Sequence, residues 1–94
     1  MKKAQTHKEL YTFALGYLAR REHFTQELIQ KLKTKTDQPE LIPEIIANLI
    51  QKNYLNDMRF AEMYSRMRVN RGYGKLHIQA ELKERGVLQD SSQI

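Results

Sequence analysis

Cationic side chains dominate the stretch between Glu62 and Glu81, which contains no acidic residue. Guanidinium groups pair with carboxylates and phosphates, often through two parallel hydrogen bonds. For any one residue the competing interpretation is a solvated helix face with local pairs such as Glu62 with Arg66. With cations added from the repeat described below, we predict a stripe along one concave side that binds a protein partner or nucleic acid. Its candidate residues are Arg66, Arg68, Arg71, Tyr73, Lys75, Arg21, Lys31 and Lys83.

Tyr73 lies between Gly72 and Gly74, so positive φ is available on both sides of it. An exposed tyrosine here would anchor a partner or stack on a base. The alternative, which we favour, is a ring folded back over the end of the preceding helix. Although Lys75 follows, the spacing and the preceding strand of a phosphate-binding loop are absent.

Two histidines each precede a glutamate by four residues, His23 with Glu27 and His77 with Glu81. Two ligands one helical turn apart do not make a zinc site, and no third stands at a useful spacing. We therefore interpret both as surface pairs. No constellation of a nucleophile with a base is visible either. The sequence predicts no catalytic, cofactor-binding or metal-binding residue, and so no enzyme.

Composition bounds the class of protein. A chain of 94 residues with a formal net charge of +5 suits one small domain or two small helical units, and it favours an acidic or polyanionic partner. The absence of cysteine excludes disulfides and thiolate metal sites. No apolar run approaches the ~20 residues that span a bilayer, and none follows the basic N-terminus as in a signal peptide. We expect a cytoplasmic protein with no membrane contact.

Apolar residues recur at helical spacing in five segments, which predicts an all-α fold. Thr25 is a plausible N-cap for the second helix. Pro43 suits the first turn of the third, because proline is tolerated there and not in a helix interior. Either Asn56 or Asp57 caps the fourth. The predicted buried residues are Leu10, Phe13, Ala14, Tyr17, Leu18, Leu28, Ile29, Leu32, Ile45, Ile46, Leu49, Ile50, Phe60, Met63, Tyr64, Met67, Ile78 and Leu82.

The chain matches itself when it is shifted by 50 residues, since Leu10 then falls on Phe60 and Leu28 on Ile78. A period of this size predicts tandem three-helix repeats stacked on one another. We assign residues 1–54 to the first repeat and 55–94 to the second, which lacks its third helix. Exposed apolar faces attract partners. The open faces of the fourth and fifth helices therefore predict weak homodimerisation, unless Val87, Leu88 and Ile94 fold back over them.

A short motif, made by Asp57, Arg59, Phe60 and Ala61, begins the fourth helix. Asp57 suits a helix start, Phe60 a core position, and Ala61 a close helix approach. We interpret the motif as architectural rather than chemical.

With its neighbours this motif resembles the RecX family of recombinase regulators. The resemblance runs from about residue 10 to 86, in four ordered pieces. These are Ala14, Leu15, Leu18, Ala19, Arg21 and Glu22; Glu27, Leu28, Lys31 and Leu32; Leu55, Asp57, Arg59, Phe60 and Ala61; and Arg71, Gly72, Tyr73 and Gly74 followed by Ile78, Glu81 and Leu82.

The resemblance implies tandem three-helix repeats and a protein that binds RecA, lies along the groove of the RecA filament on DNA, and restrains its activity. Charge by itself supports a second interpretation, a small basic helical module that binds nucleic acid directly. Nothing in the sequence marks a recognition helix with base-reading residues.

Overall fold

The computed structural model describes residues 3–87, where the regular structure is helical apart from an isolated bridge between Ala4 and Thr36. The all-α prediction is confirmed. The helices are α1 (His7–Arg20), α2 (Thr25–Lys33), α3 (Ile42–Gln51), α4 (Asp57–Asn70) and α5 (Lys75–Glu84), with a 3-10 turn over Pro39–Leu41. The chain forms two compact units, the first ending at Asn56 and the second beginning at Asp57.

Side-chain capping explains where α1 begins. The Thr6 hydroxyl accepts a hydrogen bond from the Glu9 N–H at 3.1 Å, and the Glu9 carboxylate accepts one from the Gln5 N–H at 3.2 Å. Both bonds satisfy donors that a helix start would otherwise leave unpaired. The N-cap prediction for the second helix was wrong by one residue, because Phe24 occupies the cap and Thr25 is the first helical residue.

The first unit buries one apolar stripe from each of its three helices. The core residues are Leu10, Ala14, Leu28, Leu32, Ile42, Ile45, Ile46 and Leu49, with Ala4 and Leu55 from outside the helices. Ile50, predicted to be buried, is 51% exposed. At about 100° per residue it lies roughly 140° around the helix from Ile45, beyond the edge of the stripe. The Tyr11 hydroxyl donates to the Asn48 side-chain oxygen at 2.9 Å and joins α1 to α3.

The second unit packs α4 against α5. Its buried residues are Phe60, Ala61, Tyr64, Ile78, Leu82 and Val87. The prediction that Met67 faces inward was wrong, since it is 41% exposed. The covered arc of α4 is displaced towards Ala61, Tyr64 and Arg68, which leaves Met67 at its edge. Of the other residues predicted to be buried in these helices, Ile78 and Leu82 are buried and Met63 is half-buried.

Three helices are followed by a residue with positive φ, the left-handed conformation that closes the helix end. Asn53, Gly72 and Gly86 have φ of 62°, 90° and 80° after α3, α4 and α5. In each case the N–H of the following residue donates a hydrogen bond to the carbonyl five residues earlier, as in a Schellman turn. At the end of α4, for example, the Tyr73 N–H donates to the Arg68 carbonyl at 3.1 Å. Gly74, with φ of −79°, is instead the N-cap of α5. The predicted fold-back of Leu88 and Ile94 lies outside the described residues.

Candidate functional site

A groove of about 690 Å³ runs between α4 and α5 on one side of the second unit. Its apolar lining is Met58, Ala61, Val69, Ile78 and Leu82. The spacing of Met58, Ala61, Ser65 and Val69 places them on one face of α4, because each step is close to one helical turn. We call this feature the α4–α5 groove. The sequence interpretation missed it, although a search for a second apolar stripe on α4 would have found Met58 and Val69.

Cations stand along this groove. Arg66 of α4 and Lys75 of α5 both line it, together with a single acid, Glu62. Arg71 and Lys83 are also exposed, and among residues 3–87 none of these four cations forms an ion pair within 4.0 Å. Four of the predicted binding residues are therefore available to an outside partner, and two of them share one groove.

Arg68 was predicted to belong to the same surface, but it does not. Its side chain is only 17% exposed, and its Nε lies 3.1 Å from the Glu81 carboxylate. The guanidinium also covers the Tyr73 ring at 3.7 Å from the ring centre. Arg66 and Arg68 are about 200° apart around α4, so they face different sides of the helix. The single stripe that we predicted is thus divided within the second unit.

Glu81 is the centre of the contacts that hold Arg68. It accepts a hydrogen bond from the Tyr64 hydroxyl at 2.9 Å, and the His77 Nε2 lies 3.4 Å away. Burial by itself raises the pKa of the Glu81 carboxyl, but the hydrogen bonds from Tyr64 and Arg68 outweigh it, and the pKa is lowered. We call these contacts the Glu81 network. His77 and Glu81 do form the predicted surface pair, whereas the central position of Glu81 was not foreseen.

Tyr73 is part of the same arrangement. The turn at Gly72 directs it back towards α4, where its ring packs beneath Arg68 and stacks on His77 with the ring centres 5.0 Å apart. The folded-back alternative describes this position. At 41% exposure the ring still presents an edge at the surface.

The first unit engages two more of the predicted cations internally. Arg21 pairs with Glu27, and Lys31 donates to the His23 Nε2 at 2.9 Å while lying over the Tyr17 ring at 5.0 Å. His23 is 1% exposed, so its interpretation as half of a surface pair with Glu27 was wrong. The imidazole of His23 can be buried because both ring nitrogens have hydrogen-bond partners. The Nδ1–H donates to the Arg21 carbonyl at 3.0 Å, which leaves Nε2 as the acceptor for Lys31.

The buried position of His23 is expected to make the stability of the first unit depend on pH. Burial, the largest cause, lowers the pKa of His23, and the charges of Arg21 and Lys31 lower it further. These effects outweigh the hydrogen bond to the Arg21 carbonyl, which raises the pKa, so the folded state favours the neutral ring. The unfolded chain takes up a proton near pH 6.5. Stability is therefore complete above that value and is lost as the pH falls. Urea unfolding at about pH 7 and 5.5 should show a lower unfolding free energy at the acid end.

The control for this prediction is the same substitution at a second, exposed histidine. His23→Phe removes the buried histidine, and His77→Phe removes a histidine whose side chain is 56% exposed. The dependence on pH should flatten in the first variant and persist in the second. Identical slopes in the two variants would contradict the assignment.

A second groove, of about 660 Å³, lies in the first unit along α1. Lys8, Arg20 and Lys35 line it together with the rings of Phe13 and Tyr17, and Lys35 lies over the Phe13 ring at 5.6 Å. Lys8 and Lys35 were not among the predicted binding residues. They stand far apart in the sequence, and only the packing of the first unit brings them to one groove.

Comparison with known proteins places the second unit in a family. A sequence model described as RecX, second three-helix domain, matches residues 56–90. The chain is 43% identical over 74 residues to the regulatory protein RecX of Stenotrophomonas maltophilia and to that of Halorhodospira halophila, and 38% identical over 86 residues to that of Photobacterium profundum. This chain belongs to the RecX family. The alignments cover 79%, 79% and 92% of the chain but only 45%, 46% and 32% of those relatives.

The RecX match contains both features of the second unit. It starts at Asn56, one residue before α4, and includes the α4–α5 groove and the Glu81 network. Within it, Phe60 is 4% and Ala61 is 7% exposed, as an architectural interpretation of the motif requires. Asp57 lies in the first turn of α4, and Arg59 is half-buried.

No group of three potential metal ligands comes together among residues 3–87. A membrane span needs a long apolar helix, and the same residues contain none.

Proposed function

We propose that the chain is a non-enzymatic regulator that binds the RecA filament on DNA and modulates its recombinase and ATPase activities. This function belongs to homologous recombination, DNA repair and the SOS response. The relatives are named regulatory proteins, which supports a regulatory rather than an enzymatic role. The observation that carries the proposal is the surface of the second unit, where Arg66 and Lys75 line an apolar groove and Arg71 and Lys83 stay exposed.

This surface suits a protein partner on DNA. An apolar groove excludes water from a contact, and cations at its edge pair with acidic side chains or with phosphates nearby. Electrostatic complementarity of this kind speeds encounter and selects the partner. Arg68 contributes by holding α4 to α5 rather than by touching the partner.

The test is RecA-driven ATP hydrolysis on single-stranded DNA, titrated with this protein. The variant Arg66→Glu with Lys75→Glu should need roughly tenfold more protein for the same change in rate, which corresponds to about 1.4 kcal/mol of binding free energy. The matched control is Lys3→Glu with Lys33→Glu, which alters the net charge equally in the first unit and should act as the unmodified chain does. No effect of the unmodified chain, or equal loss in both variants, would contradict the proposal.

Direct binding to nucleic acid is the second candidate, and the groove of the first unit favours it. Lys8, Arg20 and Lys35 would follow a phosphate backbone beside two aromatic rings, as single-strand-binding surfaces do. Titration of the protein onto bare DNA and onto RecA-coated DNA separates the candidates. Equal affinity for the two, lost in Arg20→Glu with Lys35→Glu, would favour the nucleic-acid module over the RecA regulator.

A further inference from the structure

The interior of α1 contains a glycine that the fold does not require. Gly16 has a helical backbone without positive φ, so no left-handed turn explains it. A β-carbon added there would meet no atom within 4 Å beyond its chain neighbours and the helix backbone, so internal packing does not explain it either. Glycine is less stable than alanine inside a helix, and it is used where another molecule approaches the backbone closely.

Gly16 lines the groove of about 660 Å³ that runs along α1 in the first unit. Lys8, Thr12 and Arg20 line the same groove, and together with Gly16 they recur once per turn. Because Gly16 has no side chain, the groove reaches the backbone of α1 at this point. The first unit contains α1, α2 and α3, so the opening of this groove does not depend on a missing third helix. We call this feature the α1 groove.

The sides of the α1 groove are cationic. Lys8 and Arg20 are exposed, and Lys35 joins them from the segment that follows α2. One acid, Glu9, also lines the groove, but its carboxylate accepts two hydrogen bonds from the residues that precede α1. Charge complementarity therefore selects an anionic ligand.

The aromatic rings of the α1 groove favour a polypeptide over the nucleic acid considered above. Phe13 packs against the core of the first unit, and the Lys35 Nζ lies over its ring, 5.6 Å from the ring centre. The Lys31 Nζ lies over the Tyr17 ring in the same way, at 5.0 Å. A base that stacked on either ring would have to displace a lysine, because stacking needs an open ring face. Carboxylates can pair with the ammonium groups where they stand.

The spacing of the cations suits an extended segment. At 1.5 Å per residue, Lys8 and Arg20 are about 18 Å apart along α1, and Phe13, which Lys35 covers, lies between them. Alternate side chains of an extended chain point to one side at intervals of about 6.6 Å, so about six residues span this distance. The backbone of such a segment can rest on Gly16, where any side chain would hold it away from the helix.

We infer that the α1 groove is a docking site for an extended acidic segment of a partner protein. The backbone of the segment crosses α1 at Gly16, and its carboxylates pair with Lys8, Arg20 and Lys35. This site belongs to the first unit alone and does not depend on the function proposed above. It also gives α1 a reason to keep a glycine where alanine would make the helix more stable.

A dye-labelled decapeptide of alternating aspartate and serine is the probe, and its fluorescence anisotropy is measured against the full chain at low salt. Gly16→Leu should weaken binding by roughly tenfold, because the leucine fills the point of closest approach. Ala19→Leu is the matched control, since it places the same side chain at an exposed position of α1 outside the groove. Binding to that variant should be unchanged.

Gly16→Ala separates a binding role from a structural one. The substitution should raise the melting temperature, because alanine favours the helix, and should at the same time weaken binding of the peptide. A glycine with only a structural role would not give this combination. A peptide with asparagine in place of every aspartate should not bind, because it lacks the carboxylates.

Three outcomes would overturn the inference. The first is absence of peptide binding to the unmodified chain. The second is binding that Gly16→Leu and Gly16→Ala leave unchanged, since surface charge alone would then explain it. The third is a labelled thymidine decanucleotide that binds more tightly than the peptide and loses affinity in Gly16→Leu, since nucleic acid would then occupy the α1 groove.

Discussion

Replacing Phe60 with alanine is expected to unfold the second unit under conditions where the unmodified chain is folded. The ring is 4% exposed and stacks on Tyr64 with the ring centres 5.8 Å apart. Truncating a buried phenylalanine typically costs about 3–5 kcal/mol, because apolar contacts are lost and a cavity remains. A small domain has only about 5–15 kcal/mol of stability in total. Thermal and urea unfolding followed by circular dichroism measures the loss.

The control for Phe60→Ala is Met67→Ala, seven residues and about two turns further along α4. Both residues were predicted to face inward, but Met67 is 41% exposed. Its truncation should change the unfolding free energy by about 0.5 kcal/mol or less, as surface substitutions usually do. Comparable losses in the two variants would mean that the buried arc of α4 is centred on Phe60 and Met67 after all.

Arg68→Ala is expected to lower the melting temperature clearly, with an effect second only to that of Phe60→Ala. The substitution removes the guanidinium that pairs with Glu81 and covers Tyr73, and it leaves the Glu81 carboxylate without its closest cation. Breaking a shielded ion pair from one side is costly, because the remaining charge keeps its desolvation penalty. From the sequence alone, Arg68 was expected to lie on an exposed binding surface rather than in this contact.

Arg66→Ala is the matched control, since it makes the same chemical change two residues earlier on the same helix. Arg66 is exposed and lines the groove, so its loss should leave the melting temperature near that of the unmodified chain. A double-mutant cycle between Arg68→Ala and Glu81→Gln should be strongly non-additive, because the two groups share one contact. Additive losses, or equal melting of the two arginine variants, would contradict the Glu81 network.

Local sequence pattern determined the helices and most of the core of this protein. The helical spacing of Leu10, Leu28 and Leu32 is a property of the chain alone, and those residues are buried. The helix ends at Gly72 and Gly86 are also local, because a left-handed residue there costs glycine little. The ordered motifs likewise carried the family resemblance.

Tertiary packing decided which arc of each helix is covered and which charges remain at the surface. Periodicity fixes the angle of a side chain around its helix, but it does not say where the neighbouring helix lies. In α4 the neighbour covers the side of Arg68 rather than that of Met67, so a predicted binding residue became part of the core boundary. His23 became a buried acceptor for Lys31 in the same way. The sequence of α4 alone could indicate an apolar stripe at Met58 and Val69, but the α4–α5 groove exists only where two helices meet and could not be predicted from either one.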